Sequence, residues 1–165
     1  MSPAARKGLI VAALHLAIVM SLGAKLLVDR ATRPRVWARA APIDPDLPIR
    51  GRYVRLRIEG NLDPTAPVRS QFSPVALEAR HDTLIVVAKE TTTGVTAHPA
   101  QRDGQPVAVL DQALAYFIPE HVPDPSRRPA GEELWVEVTL PGHGAPRPIR
   151  LGIRKEGVLQ PLDLR

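Results

Sequence analysis

From residue 49 onward, short segments with the periodicity of β-strands recur about every ten residues, separated by turn residues. In the first of them, 53–59, apolar side chains at Val54, Leu56 and Ile58 alternate with polar ones. Similar segments follow at 74–80, 83–90, 94–98, 106–110, 114–118, 133–140 and 148–165. Strands this short and this closely spaced predict an all-β domain over 49–165, a small antiparallel sandwich or barrel.

Composition supports the same fold class. The chain has 18 prolines, and proline interrupts helices and central strands, so short strands joined by many turns are favoured over a helical bundle. No helical period appears after residue 30. With two residues each of Trp, Tyr and Phe, the core is expected to consist mainly of Val, Leu, Ile and Ala.

The amino terminus has a different character. A basic tail, 1–8, precedes a 20-residue apolar segment, 9–28, which as a helix is long enough to cross a bilayer core of roughly 30 Å. The preferred interpretation is an uncleaved transmembrane anchor, because the apolar run continues past Lys25 to Val28. A cleaved signal peptide is the alternative, since Ser21 and Gly23 supply small residues before a cut.

The sequence contains signals for both possible locations of the β domain, cytoplasmic and extracytoplasmic. More basic residues follow the apolar segment than precede it, which favours a cytoplasmic body. A short basic tail before an apolar run has the form of a secretory signal, and long domains translocate largely regardless of charge. We expect an extracytoplasmic body.

Residues 29–48 are rich in proline and arginine and are predicted to be an extended linker. Eight arginines lie between positions 30 and 57, while residues 31–165 together carry a net charge of only +2. That balance is too small for a general nucleic-acid-binding protein. A local basic stretch beside an anchor is better explained by attraction to anionic lipid head groups.

Residues for catalysis or metal binding are not grouped in recognisable patterns. The chain has no cysteine, which excludes disulfides, thiolate metal sites and a cysteine nucleophile. No serine lies in a G-x-S-x-G motif, and no two histidines have a metal-ligand spacing. The sequence therefore predicts no catalytic residues, no metal site and no cofactor.

Two stretches carry a family resemblance. "PIDPDLPIRGRYVRLRI" resembles the signature of the GDYXXLXY family of bacterial membrane-anchored proteins, with Gly51, Tyr53 and Leu56 at motif positions. "AYFIPEH" resembles the second recurrent stretch of that family, an aromatic pair leading into Pro-Glu. Arg52 and Ile58 depart from the motif, which has aspartate and tyrosine there. The resemblance implies a small membrane-associated β domain that accompanies a multi-pass membrane protein. With the orientation expected above, the domain would lie at the bacterial inner membrane and face the periplasm.

The leading hypothesis is therefore a non-enzymatic accessory module of the bacterial envelope. Its candidate binding residues lie in the two motif stretches: Gly51, Tyr53, Arg55, Leu56, Arg57, Tyr116, Phe117, Pro119 and Glu120. A hydrolase-like enzyme is an alternative, and it requires Tyr53 and a partly covered Glu120 to converge in a cleft. A cleaved, secreted binding domain is the third hypothesis.

Overall fold

The computed structural model describes residues 2–43, 52–91 and 93–164. The chain divides into two compact units, Met1–Arg33 and Pro34–Arg165. The candidate residue Gly51 lies outside the described residues, and its predicted role stays a prediction.

The first unit is helical. Helix α1 spans Pro3–Thr32, so much of the tail expected at 1–8 is part of the helix. Within it, Ala5–Val28 has a mean hydropathy of 2.1, and this 24-residue segment is long and apolar enough to cross a membrane. A signal sequence has the same properties. Two of the polar side chains inside the segment bond to their own helix: His15 Nδ1 lies 2.8 Å from the Val11 carbonyl oxygen, and Ser21 Oγ donates to the Ile18 carbonyl at 2.8 Å.

The second unit is a β domain, as predicted. Among the described residues it contains ten strands: β1 (Arg35–Ile43), β2 (Arg52–Leu62), β3 (Ser73–Arg80), β4 (Thr83–Ala88), β5 (Thr96–Arg102), β6 (Gln105–Leu110), β7 (Leu114–Ile118), β8 (Glu132–Thr139), β9 (Arg147–Lys155) and β10 (Val158–Pro161). The sequence segments predicted as strands correspond to β2–β10.

Within the described part of the chain, six strands close into a barrel in the order β1-β2-β6-β5-β3-β4. Most neighbours are antiparallel; β4 makes short parallel pairings with β1 and β2. Besides its short contact with β4, strand β1 has two antiparallel partners: residues 35–39 pair with β8, and residues 39–43 pair with β2. Strands β8, β9 and β10 thus extend outward from β1, and β7 continues along β2 beyond the end of β6.

Alternation along the strands fills the core. On β2, Val54, Leu56 and Ile58 are buried, while Arg57 between them is exposed. The same period of two places one face of each barrel strand inside and the other outside. The inward set is almost entirely aliphatic, as composition predicted: Val36, Ala38, Leu56, Ile58, Val75, Leu84, Val86, Leu110, Leu134, Val136 and Leu151.

Residues 35–43 correct the predicted domain boundary. They were expected in a linker ending at 48, yet they form β1, with Val36, Ala38 and Ala40 at most 5% exposed. Pro34 lies just before the strand and Pro42 near its end, where little pairing is lost. The flanking prolines concealed an alternating apolar pattern that starts at Val36.

Candidate functional site

The two stretches that carry the family resemblance lie side by side. Strands β2 and β7 pair in antiparallel register, with Tyr53 directly opposite Phe117 and Arg55 opposite Ala115. The Tyr53 and Phe117 rings have centroids 6.0 Å apart and are inclined by 56°, within the usual range of an aromatic pair. Residues more than sixty positions apart in the sequence thus form one surface.

This surface is the outward face of the barrel wall at the start of β2. Tyr53, Arg55 and Arg57 alternate with the buried Val54 and Leu56, so they point away from the core. Together with Phe117 they form what we call the aromatic–arginine face. Phe117 is 71% exposed, which is unusual for a large apolar ring and marks a candidate interaction site.

The cations of this face have no carboxylate partner within the described part of the chain. Among the described residues, neither Arg55 nor Arg57 forms an ion pair, whereas Arg39 and Arg102 further along the barrel wall are both paired with carboxylates. On β1, the neighbours across from Arg57 and Arg55 are Ala41 and Ile43. The face therefore combines one exposed and one half-buried aromatic ring, apolar side chains and positive charge.

Two of the candidate residues belong to the core instead. Leu56 is fully buried, and Tyr116 packs against the core, where burial raises the pKa of its hydroxyl. Side chains alternate between the two faces of a strand, and Leu56 and Tyr116 lie an odd number of residues from Tyr53 and Phe117, so both point inward. Their contribution is to fix the strands that carry the exposed side chains.

Pro119 and Glu120 follow the end of β7 and are exposed. The expectation that Glu120 is partly covered is therefore wrong. An exposed carboxylate does not supply the covered acid in a cleft that the hydrolase-like alternative required.

A second feature, the charged cleft, was not predicted from the sequence. It is a cavity of about 360 Å³ at the barrel wall, lined by residues of β1, β2, β4, β5, β6, β8 and β9 and by the turn between β5 and β6. We define it by its charged and aromatic lining: Trp37, Arg39, Glu59, Arg102, Asp103, Glu133, Trp135 and Arg154.

The centre of the cleft is an ion-pair network. Glu59 is buried and receives two hydrogen bonds from Arg102, one of them from Nε at 3.2 Å. This pairing raises the pKa of Arg102. Arg39 lies across from Glu59 in the β1–β2 register. Its Nη1 donates to Asp103 and its Nη2 contacts Glu133, each at 2.9 Å.

Both tryptophans of the chain line this cleft. The Trp135 indole N–H donates to Glu133 at 3.1 Å, and the Arg154 guanidinium lies 4.6 Å from the centre of the Trp135 ring. Arg150 lies 5.4 Å from the centre of the Trp37 ring and donates to the buried Glu137 at 2.6 Å. These contacts hold the indoles in place.

The sequence did contain a signal for the cleft. Trp37 and Trp135 occupy the polar phase of their strands, next to buried Val36 and Val136. A large aromatic side chain in the outward phase indicates that the outer face is partly covered. The pairing of Arg39 with Glu59 depends on strand register, which the sequence does not specify.

Elsewhere, charged side chains serve the fold. Asp63 is buried at the end of β2, where Thr65 donates to it from the hydroxyl at 2.5 Å and from the backbone N–H at 2.8 Å. These bonds, with Arg80 at 2.7 Å, lower the pKa of Asp63 to about 2. Among the described residues, no three His, Asp or Glu side chains are grouped so that they could hold a metal ion.

No protein-family model, curated protein or solved structure matches this chain. The aromatic–arginine face and the charged cleft are therefore the features from which a function can be proposed.

Proposed function

We propose that the protein is a membrane-tethered, non-enzymatic accessory module of the bacterial envelope. In this proposal α1 stays in the inner membrane as a single-pass anchor, and the β domain faces the periplasm. The aromatic–arginine face docks on an acidic, partly apolar surface of a multi-pass membrane protein.

The observation that carries the proposal is the exposed Phe117 ring, paired with the half-buried Tyr53 and flanked by Arg55 and Arg57. Tyr and Arg are enriched at the centres of protein interfaces, where rings supply contact area and guanidinium groups pair with carboxylates. When a partner covers a ring as exposed as Phe117, apolar surface is removed from water, and this favours binding. The two arginines would steer the approach of an acidic partner.

The membrane part of the proposal rests on α1 and the residues after it. The 24-residue apolar segment satisfies the length requirement for a span. Only Arg33 and Pro34 separate the end of α1 from the start of β1. The basic residues that follow α1 would add attraction to anionic lipid head groups.

Site-specific cross-linking in the native membrane tests the docking face. Phe117 is replaced by the photo-reactive p-benzoylphenylalanine in the full-length protein, and Phe72, which is 69% exposed in the turn before β3, is replaced in the same way as the control. We expect a discrete cross-linked membrane protein from position 117 and none from position 72. Equal yields from both positions, or none from 117, would refute the proposal.

Charge reversal then tests the electrostatic part. Arg57→Glu is expected to lower the cross-linking yield at position 117 at least about tenfold, because a like charge would oppose the acidic partner. Arg147→Glu is the matched control, since Arg147 is also exposed but lies on β9. If both reversals have the same effect, net charge rather than this face determines association.

The absence of cysteine allows a clean test of orientation. A single cysteine introduced at position 72 would be the sole thiol of the chain. We expect a membrane-impermeant maleimide to label it in spheroplasts without lysis. Labelling only after lysis would place the domain in the cytoplasm. A mature chain that lacks about two dozen residues would show that the apolar segment is a cleaved signal peptide and not an anchor.

A further inference from the structure

We propose that the charged cleft is a binding site for a neutral carbohydrate. In this site a sugar ring stacks on an indole, and its hydroxyl groups bond to the arginines and carboxylates of the lining. The proposal is independent of the docking face.

The size and construction of the cleft fit a small ligand. A volume of about 360 Å³ lies within the range of roughly 300–1,000 Å³ that is typical of small-molecule sites. Apart from Asp103 in the β5–β6 turn, its lining comes from paired strands, which are more rigid supports than loops.

The polar groups of the lining are already held in position. Arg102 is bound through two of its nitrogens to Glu59, whose side chain is only 6% exposed. Arg39 is held between Asp103 and Glu133, and Glu133 also accepts the Trp135 indole N–H. A guanidinium group has five N–H donors and a carboxylate about four acceptor sites, so these pairings leave capacity for a ligand. Pre-organisation of this kind lowers the entropic cost of binding.

Charge balance selects the class of ligand. Three arginines, Arg39, Arg102 and Arg154, line the cavity together with three carboxylates, Glu59, Asp103 and Glu133. These six charges sum to zero, and Arg39 and Arg102 are already paired with carboxylates, so the lining as a whole attracts neither an anion nor a cation. The favoured ligand is therefore neutral.

A neutral ligand for this cleft must also offer many hydrogen bonds, because the lining supplies both donors and acceptors. A hydroxyl group both donates and accepts, so it can bond to an arginine and a carboxylate at once. Asn61, Thr83 and Gln105 extend the lining with neutral donors and acceptors. A polyhydroxylated ring meets this requirement, whereas a purely apolar ligand would leave the polar groups without partners.

The indoles complete the match. The face of an aromatic ring carries partial negative charge, and the C–H groups of a sugar ring carry partial positive charge, so the two surfaces attract when stacked. Trp37 and Trp135 both line the cleft, and an arginine covers part of each ring. Both indoles are only half-buried, and the sugar packs against the part of the indole that the arginine leaves open. Planar polar groups beside fixed indoles suit a saccharide better than a phosphate or a peptide terminus.

Tryptophan fluorescence reports directly on this site, because both tryptophans of the chain line it. The full-length protein, in a polyoxyethylene detergent free of sugar, is titrated with cellobiose, maltose and N,N′-diacetylchitobiose. We expect a saturable emission change with at least one of them, with the same dissociation constant from calorimetry. Inorganic phosphate and glutamate are expected to give no saturable change.

Variants locate the site. Trp135→Phe is expected to weaken binding at least about tenfold, a loss of about 1.4 kcal/mol. Asp103→Asn, whose side chain is 74% exposed, keeps the fold and is expected to weaken binding several-fold. Phe72→Ala, outside the cleft, is the control and should bind normally. The proposal is overturned if no saccharide binds by either method, if phosphate or glutamate binds and the sugars do not, or if both cleft variants bind as the unaltered protein does.

Discussion

At the scale of single residues, Gly60 marks a close approach inside the barrel. A Cβ at this position would lie 2.7 Å from Val86 Cγ2 and 3.1 Å from Leu84 Cγ, both from β4. Neither neighbour is the free end of a flexible chain, so the wall would have to shift. We expect Gly60→Ala to lower the free energy of unfolding by roughly 1–3 kcal/mol, measured by chemical denaturation.

The matched control for this prediction is the double variant with Val86→Ala. Removing the Val86 methyl groups makes room for the new Cβ, so the cost of the pair should be smaller than the sum of the two single costs. Additive costs would show that the steric contact with Val86 is not the cause.

Asp63 makes a pH-dependent contribution to stability. Its bonds from Thr65 and Arg80 lower its pKa to about 2, so between that value and the ordinary carboxyl pKa the unfolded chain binds more protons than the folded one. The stabilisation is complete above about pH 4–5 and is lost as the pH falls through about 2. We expect the difference in unfolding free energy between the protein and Asp63→Asn to shrink over that window.

Glu78 supplies a matched control for the acid experiment. It pairs with the same Arg80, at 2.6 Å, but its side chain is 41% exposed. Glu78→Gln should leave unchanged the loss of unfolding free energy between about pH 4–5 and pH 2. A difference between the protein and Asp63→Asn that stays constant down to pH 2 would contradict the assignment to Asp63.

At the scale of elements, three hairpins use the same two-residue turn. The connections β3–β4, β5–β6 and β9–β10 each place both turn residues at positive φ, and the second of the two is Gly104 or Gly157 in two of them. In the β3–β4 turn that second position is Asp82, at φ 59°. Positive φ at both positions matches the twist of the paired strands.

The β3–β4 turn can therefore be improved. Asp82→Gly is expected to raise the free energy of unfolding by about 0.5 kcal/mol, because glycine adopts positive φ without a Cβ clash. Gly157→Ala should lower it by about 1 kcal/mol for the converse reason. Thermal unfolding followed by circular dichroism measures both changes. A lower melting temperature for Asp82→Gly would indicate that the aspartate makes a stabilising contact.

The sequence predicted strands β2–β10 because their alternation and turn residues are local features. Asp103-Gly104 and Glu156-Gly157 mark hairpins within a few residues of the strands they join. Strand β1 was missed because Pro34 and Pro42 frame a short pattern whose partners lie elsewhere in the chain. The strands that pair with β1 are determined by the closed barrel, and the nine residues of β1 do not specify them.

The same distinction applies to the functional surfaces. The outward phase of Tyr53 and Arg55 followed from periodicity, and the family resemblance singled out Phe117. The inward phase of Tyr116, by contrast, depends on the register between β2 and β7. The charged cleft joins side chains from positions 37 to 154, so its assembly required the fold.

At the scale of the whole molecule, the position of the domain boundary can be tested by truncation. A fragment of residues 34–165 contains every barrel strand, whereas a fragment of residues 49–165 lacks β1. Without β1, the barrel loses the buried Val36, Ala38 and Ala40 and the strand that pairs with both β2 and β8.

We expect the 34–165 fragment to give a β-type circular dichroism spectrum and a cooperative thermal transition. The 49–165 fragment should aggregate or unfold without a cooperative transition. Equal melting temperatures for the two fragments would mean that β1 is dispensable and that the boundary expected from the sequence, at 48, is the right one.

The divided pairing of β1 also has a consequence during synthesis. Its first half pairs with β8, which is synthesised about a hundred residues later. At ordinary translation rates this is a delay on the order of 5–20 s. Until then the nascent strand has an unpaired edge that could join a wrong neighbour. Arginine at positions 35 and 39 and proline at 42 are residue types that discourage such mispairing. The proline that obscures β1 in the sequence would therefore also reduce mispairing of β1 before β8 is synthesised.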